Sequence, residues 1–377
     1  MRIGVDLLSE PPLLAGSGTY ARNLFAELVR LSPDDTFVFF LHPRHREAFN
    51  YEAENVEYVT VEFAIESPIR RRFVEQLRLP RLGRRAGIDL VHSINNVLPL
   101  FSRGPCVVTI HDLLAFVSPD RFKWSKRVFL KAMAPRSARK ADRVIAVSEN
   151  TKQDILKCSG VPPEAVRVIH EAPDPIFVPQ RKEQVTEVLR QLGIRRPYML
   201  FLGTLEPGKN VAGLLRAYAA LPDDLRDTYR LVIAGQRGWW FESIFSCARE
   251  LGLREQVQFP GYVPREALPA LFSGAELFVY CPFYEGFGLP PLEAMSCGCP
   301  VICSGVSSLP EVVGDGACLV DPTDHEALAA SVTELLENAE ARSELAAKGL
   351  QRAAEFSWRR AAEETLALYR EILEEIR

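Results

Sequence analysis

No run of apolar residues in this chain approaches the ~18 that a helix needs to cross a membrane, so a spanning helix is not expected. The opening Met1-Arg2-Ile3-Gly4-Val5-Asp6 goes straight into strand-like sequence without a leader's cleavage pattern, and a cytoplasmic location is the expectation. Cys297, Cys299 and Cys303 crowd together, yet none of the eight cysteines forms the paired C-x2-C spacing of a zinc site. They read as small buried hydrophobes in a reducing compartment. No D-x-D motif offers carboxylates to Mg2+, so no metal and no cofactor are expected. The dinucleotide fingerprint is missing too: Gly16-Ser17-Gly18-Thr19 is followed by Ala21, after a long loop. A basic balance is also lacking. The net charge is −4, and nucleic acid is not an expected partner.

What is present centres on Pro282-Phe283-Tyr284-Glu285-Gly286-Phe287-Gly288-Leu289-Pro290-Pro291-Leu292-Glu293. A strand-like run precedes it and another follows. Gly286 and Gly288 let the backbone approach a ligand closely. Pro290 and Pro291 suit a first helical turn. A strand, a glycine turn and a new helix form an anion site, because free amides and the helix dipole point the same way. Glu285 and Glu293 lie eight residues apart, which is about 12 Å along a helix. Glycosidase carboxylates sit about 5 to 9.5 Å apart, so the spacing gives that chemistry no support. Glu285 reads instead as facing a reacting group, and Glu293 as taking two ribose hydroxyls. The alternative is a pair of solvated glutamates beside a turn.

Glu285-Gly286-Phe287-Gly288-Leu289-Pro290-Pro291-Leu292-Glu293-Ala294 closely resembles the E-x7-E signature of retaining glycosyltransferases of family 4, in particular bacterial mannosyltransferase-like members. The resemblance extends over nearly the whole chain. It implies the GT-B fold: two Rossmann-like α/β domains facing a cleft, with the last helix crossing back to the first. It also implies that Glu285 contacts the donor sugar and that Glu293 holds the nucleotide's ribose.

Along the chain, strand-like runs at residues 3–8, 37–41, 56–61, 90–92, 106–110 and 143–147 alternate with helical sequence, which implies a covered parallel sheet. In such sheets ligands bind beyond the carboxyl ends of strands. His92, Asn95, Asn96, His111, Asp112 and Ser148-Glu149-Asn150 all fall at such ends. The last group reads first as a helix N-cap. The resemblance gives His111 contact with the donor sugar and makes Asp112 an orienter or acceptor contact. His92, Asn95 and Asn96 are assigned to the acceptor side. Gly16 and Gly18 would lie near donor phosphate and acceptor.

The proline-rich stretch from Glu171 to Pro179 holds an extended path and marks the boundary, giving domains 1–178 and 179–357, with a final helix at about 358–377 joining the first. In the second domain, strand-like runs at 198–202, 231–234, 257–259, 275–280 and 300–303 repeat the alternation. Gly203-Thr204-Leu205-Glu206-Pro207-Gly208-Lys209-Asn210 places a lysine beside a helix start, where it can clamp phosphate. It resembles the family's G-R-L-x-x-x-K-N, with Thr204 where many members have Arg. Lys209 is thus expected to carry the charge, helped by Arg237. Backbone near Gly261-Tyr262-Val263 would face the nucleobase. Trp239-Trp240 reads as helix packing in preference to base stacking.

Charge is unevenly shared. Residues 1–180 hold 25 Lys and Arg against 21 Asp and Glu, and the rest hold 20 against 28. The surplus lies in two helical stretches, about 66–87 and 121–143, with Phe73, Val74, Leu77, Phe122, Trp124, Val128, Phe129 and Leu130 among the charges. Such helices can lie on an anionic membrane; the alternative is a solvated face. The combined reading is a metal-independent retaining hexosyltransferase of cell-surface polysaccharide synthesis. It would move a hexose, mannose from GDP-mannose being the choice, from the nucleotide-sugar donor to a glycan or lipid-linked acceptor. Lys209, Glu285 and His111 are its catalytic candidates, and Gly203, Asn210, Phe287 and Leu289 join the donor contacts. The alternatives are a non-hydrolysing nucleotide-sugar epimerase and a non-catalytic sugar-binding protein.

Overall fold

The computed structural model describes residues 1–8, 16–64, 67–119 and 124–376. The chain divides into two compact units, Met1–Glu171 with Ser357–Arg377, and Ala172–Phe356. The division falls at the start of the proline-rich stretch, a few residues before the expected boundary.

The first unit holds β1 (Arg2–Asp6), β2 (Thr36–Leu41), β3 (Val56–Thr60), β4 (Leu90–Ser93), β5 (Cys106–Ile110), β6 (Arg143–Ala146) and β7 (Val166–Val168). They form one sheet in the order β3-β2-β1-β4-β5-β6-β7, and every pairing is parallel. The second unit holds β8 (Tyr198–Leu202), β9 (Arg230–Ala234), β10 (Val257–Gly261), β11 (Leu277–Tyr280), β12 (Val301–Ser304) and β13 (Cys318–Val320). Their order is β10-β9-β8-β11-β12-β13, again parallel throughout. Both sheets are doubly wound. Strand order reverses between β1 and β4 in one and between β8 and β11 in the other. Connections leave such a reversal in opposite directions, and a crevice opens at the strands' carboxyl ends.

The central strands are apolar on both faces because helices cover both sides; β5 and β12 are buried throughout. The edge strands β7 and β13 did not stand out in the sequence. Each is three residues long and partly exposed, too short for any periodicity to register. The last helix, Trp358–Glu375, buries Trp358, Ala361, Ala362, Leu366, Tyr369 and Ile372 within the first unit. Its Trp358 meets Tyr20 edge-on at 5.8 Å.

The basic stretch 66–87 is not one helix. It runs as helix Pro68–Phe73, a π-helical turn Val74–Arg78 and helix Leu79–Arg85, with Pro80 entering just where the last of these begins. Val74 and Leu79 pack with Val38 and Phe40 in the core, whereas Phe73 is exposed. The second stretch is the helix Trp124–Lys140; the expected Arg121 and Phe122 lie outside the described residues. No described helix is long and apolar enough to cross a membrane.

Candidate functional site

Two loops meet at the strand reversal of the second unit. One follows β8 and carries Lys209 at the end of a 3-10 turn, Pro207–Lys209. The other follows β11 and carries Glu285. A main-chain bond from Phe283 N to Gly208 O, 3.1 Å, holds the loops together. Lys209 Nζ pairs with Glu285 Oε1, and both side chains are less than one-fifth exposed. Tyr280, the last residue of β11, donates its hydroxyl to the same Oε1 at 2.7 Å.

Burial alone would drive the Lys209 ammonium to release its proton, but Glu285 and Tyr280 together outweigh burial and raise its pKa above the ordinary lysine value. The Tyr280 phenol is also raised, by burial first and by the Glu285 charge second. A sheltered charge pair acts in a lower effective dielectric than water, so the cation here is fixed in place as well as in charge.

Glu285 is held from behind. Ser307 Oγ accepts from Glu285 N at 2.9 Å and donates to Glu285 O at 2.6 Å. Ser308 Oγ lies 2.6 Å from Phe287 O and 3.0 Å from Glu285 O. Ser307 takes a left-handed conformation, φ 57°, which is uncommon for a residue with a side chain. Sequence reasoning missed Tyr280, Ser307 and Ser308. Tyr280 reads as the end of an apolar run, and the serines meet Glu285 across 22 and 23 positions, beyond the reach of any local pattern.

The helix Leu289–Ser296 has Gly288 as its N-cap, φ 117°, with no side-chain cap. A Cβ on Gly288 would stand 2.5 Å from Leu309 Cδ2. Pro290 and Pro291 remove two donors from the first turn, so this end offers an anion the amides of Gly288 and Leu289. Gly286 and Phe287 are buried, and the Phe287 ring meets Phe356 at 5.8 Å. Glu293 is half-buried, inside the helix.

At the end of β8, Thr204 is exposed and Gly203 half-buried. Leu205 N donates to Gln236 O, and Gly238 N to Leu205 O, lacing this loop to the one after β9. The two run so close that a Cβ on Gly235 would stand 1.9 Å from Gly203 O. Arg237 is exposed, with its guanidinium 5.2 Å from the Phe241 ring centre.

Two expected donor contacts are narrowed, and the reading of Trp239-Trp240 is corrected. Asn210 is buried in a left-handed turn, φ 55°, and its Nδ2 donates to Pro322 O at 2.7 Å; this side chain shapes the loop. The Val263 side chain is interior, so only its main chain is available. Trp240 is not helix packing, being 65% exposed. Its neighbour Trp239 donates Nε1–H to Glu206 at 2.9 Å.

In the first unit, Gly16 is exposed with φ 50°, just before the helix Ser17–Leu31, and Gly18 is buried in that helix's first turn. His111 ends β5. Its Nδ1 lies 2.8 Å from Glu171 Oε1 and its Nε2 2.8 Å from Ile94 O. Asn96, in a left-handed conformation, accepts from His111 N at 2.9 Å and donates to Asp112 O at 3.1 Å. The Asp112 carboxylate accepts from Leu114 N at 2.9 Å. Asn96 and Asp112 thus brace the backbone around His111, which for Asp112 is the orienter's part of its expected role. Asn95 is half-buried.

His92 needs the larger correction. It is fully buried, with Nδ1 2.5 Å from the Tyr369 hydroxyl and Nε2 2.8 Å from Thr109 Oγ1. Burial first, and the His111 charge second, push its pKa down to about 3. It is a neutral core residue that ties the last helix to the sheet. Among the described residues no cluster of three His, Cys, Asp or Glu is placed to hold a metal ion.

Residues 185–352 match the family model of glycosyl transferases group 1, and residues 14–175 match that of glycosyltransferase family 4. Among relatives, the chain is 37% identical over 266 residues to the O-antigen chain mannosyltransferase B of Escherichia coli, covering 70% of each. It is 31% identical over 305 residues to MMP alpha-(1->4)-mannosyltransferase of Mycolicibacterium hassiacum, covering 76% of this chain and 71% of that one. With the longer serotype-specific mannosyltransferase WbdA of Escherichia coli it shares 30% over 259 residues, 67% of this chain but 32% of that protein.

Solved structures include HepE of Anabaena in complex with UDP and glucose, with a TM-score of 0.77, 19% identity and coverage of 98% and 100%. Sucrose-phosphate synthase of Thermosynechococcus elongatus aligns with a TM-score of 0.80 at 21% identity, over 99% of each chain. At these identities the likeness is one of fold. Two parallel Rossmann-like sheets and the two family matches lead to one conclusion: the chain belongs to glycosyltransferase family 4 and has the GT-B fold.

Proposed function

We propose that the protein transfers mannose from GDP-mannose, with retention of configuration and without a metal ion, to a glycan or lipid-linked acceptor in the synthesis of a cell-surface polysaccharide. The observation that carries the reading is the sheltered Lys209–Glu285 pair at the strand reversal, beside the glycine-opened start of the helix Leu289–Ser296. The leaving diphosphate gains charge as the glycosidic bond breaks. Lys209 and the amides of Gly288 and Leu289 are suited to stabilising it electrostatically. In the reading, the donor's phosphates compete with Glu285 for Lys209, and Glu285 turns toward the sugar. No side chain here acts as a covalent nucleophile. The leaving phosphate helps deprotonate the acceptor on the same face of the sugar. Mannose as the donor sugar is favoured by the mannosyltransferases among the relatives.

The test is a thermal-shift panel of nucleotides and nucleotide-sugars, followed by transfer from the best binder. A ligand at 100 times its Kd adds about 2.7 kcal/mol to stability. GDP and GDP-mannose should shift the melting temperature most, turnover should survive EDTA, and the product should keep the donor's anomeric configuration. A larger shift with another nucleotide overturns the donor choice, inversion overturns the mechanism, and a Mg2+-restorable loss overturns the metal-free reading.

A peripheral membrane role has its own support. The Arg72 guanidinium lies 3.5 Å from the Phe129 ring centre, which brings the two basic segments side by side. Phe73 and Trp124 are more than half exposed among their arginines and lysines. Each basic residue near an anionic surface contributes about 1 kcal/mol, screened by salt. Binding to anionic but not neutral liposomes is expected, reversed by salt and weakened when Arg70, Arg71 and Arg72 are together changed to Glu. No binding at low salt would leave a solvated face.

A further inference from the structure

We infer that Glu171 is a positioning residue that holds His111 as a doubly protonated imidazolium at the carboxyl end of β5. The two ring nitrogens each meet an oxygen at 2.8 Å, Glu171 Oε1 on one side and Ile94 O on the other. A carbonyl oxygen and a carboxylate only accept hydrogen bonds. Both contacts are satisfied together when both nitrogens carry hydrogen, and the ring is then a cation. One other arrangement would satisfy them, with the proton on a neutral Glu171 donating to Nδ1. We assign the ion pair, in which both hydrogen bonds of the ring are charge-assisted and therefore the stronger.

The surroundings agree with this assignment. Glu171 is 4% exposed, and a buried carboxylate is costly without a charged partner. From the first helix, Tyr20 meets the ring edge-on at 4.8 Å, while its hydroxyl turns to Thr109 Oγ1 at 3.0 Å. On the His111 strand end, the Asp112 carboxylate caps Leu114 N. Thr151, in the helix Glu149–Ser159, donates to His111 O. On the sheet side stands His92, kept neutral by its burial. Among these neighbours Glu171 is the carboxylate bonded to the ring.

A ring that already holds both protons cannot take up a third. On this inference His111 serves the site as a fixed positive charge and not as a general base. An opposite charge at hydrogen-bond distance raises the pKa of an imidazole. The His111 ion pair therefore contributes stability that is complete below the ordinary histidine value and is lost as pH rises through the folded value. The part played in turnover rests on the transferase reading; the charge state does not.

The test uses the full chain labelled with 15N-histidine and His111→Gln to assign the ring signals. The expected result is a His111 ring with both nitrogens protonated at pH 7.5, and a midpoint lowered by about one pH unit or more in Glu171→Gln. Glu171→Asp should restore part of that shift. In transfer assays, Glu171→Gln should lower kcat by about tenfold, with the alkaline limb of the pH profile moving to lower pH and KM for the donor little changed. A neutral tautomer in the wild type at pH 7.5 overturns the inference, and so does a midpoint unmoved by Glu171→Gln. The wild-type spectrum decides the charge state even where the variants fold poorly. A normal charge-state result with no transfer activity would fault the proposed function alone.

Discussion

The two units share a doubly wound strand order, yet they differ in what they place at the strand reversal. In the first, most polar groups at the carboxyl ends close on one another: His92 on Tyr369 and Thr109, Asn96 on the backbone around His111, Asp112 on Leu114 N. In the second, a Lys–Glu pair stands beside two glycine-opened loops whose main chain comes forward. The comparison teaches that topology supplies a place for a ligand, whereas the side chains supply the chemistry.

The sharpest way to break this comparison is Lys209→Ala. Removing a fixed charge that stabilises a transition state costs about 10²–10³ in turnover, far more than Glu171→Gln should cost in the first unit. A kinetic assay of both variants on one donor decides it. The reverse order would make the first unit the chemical one, and a rise in KM with kcat intact would make Lys209 a ground-state clamp.

Next in size is Gly235→Ala, where the added Cβ would meet Gly203 O at 1.9 Å and φ is +139°. A loss of at least roughly 2 kcal/mol is expected by thermal unfolding. Gly87→Ala in the first unit is the control. It shares a positive φ but has open space around it, so the backbone cost of about 1–2 kcal/mol stands alone there. Equal losses would mean that the two second-unit loops are not held as close as their hydrogen bonds require.

Glu293→Ala should weaken binding of the free nucleoside diphosphate at least about tenfold, since hydrogen bonds to charged groups contribute about 1.5–3 kcal/mol. Calorimetry measures it directly, and unchanged affinity would take Glu293 out of the site. Tyr280→Phe removes one hydrogen bond to Glu285 Oε1, whose charge Lys209 still pairs, so the cost is set in the range of neutral bonds, about 0.5–1.5 kcal/mol. A loss of about three- to tenfold in kcat/KM is expected, with the fold unchanged by circular dichroism. No loss would show that Lys209 alone orients the carboxylate.

Much of this was legible in the sequence. The alternation of apolar runs with amphipathic stretches announced two parallel α/β sheets. The spacing of glycines and prolines around Glu285 announced a strand, a turn and a helix, and β11, the loop and Leu289–Ser296 stand there. The apolar side of the last helix was readable at its 3.6-residue period, from Trp358 through Ile372. These features arise from residues a few positions apart, whose φ/ψ limits and hydrophobic period act locally.

What tertiary structure decided lies beyond that range. Lys209 and Glu285 meet across 76 positions, His111 and Glu171 across 60, and His92 and Tyr369 across 277. Two histidines at neighbouring strand ends look alike in sequence, yet one is sealed in the core and the other paired with a carboxylate. Which happens depends on the neighbouring strand and covering helix, and therefore on strand order. Tyr280 and Ser307 gained roles for the same reason, because a side chain's hydrogen-bond partners are set by packing and not by its neighbours in the chain. The sequence alone determined where loops, strands and glycine turns would lie; the folded chain decided which charges would face one another.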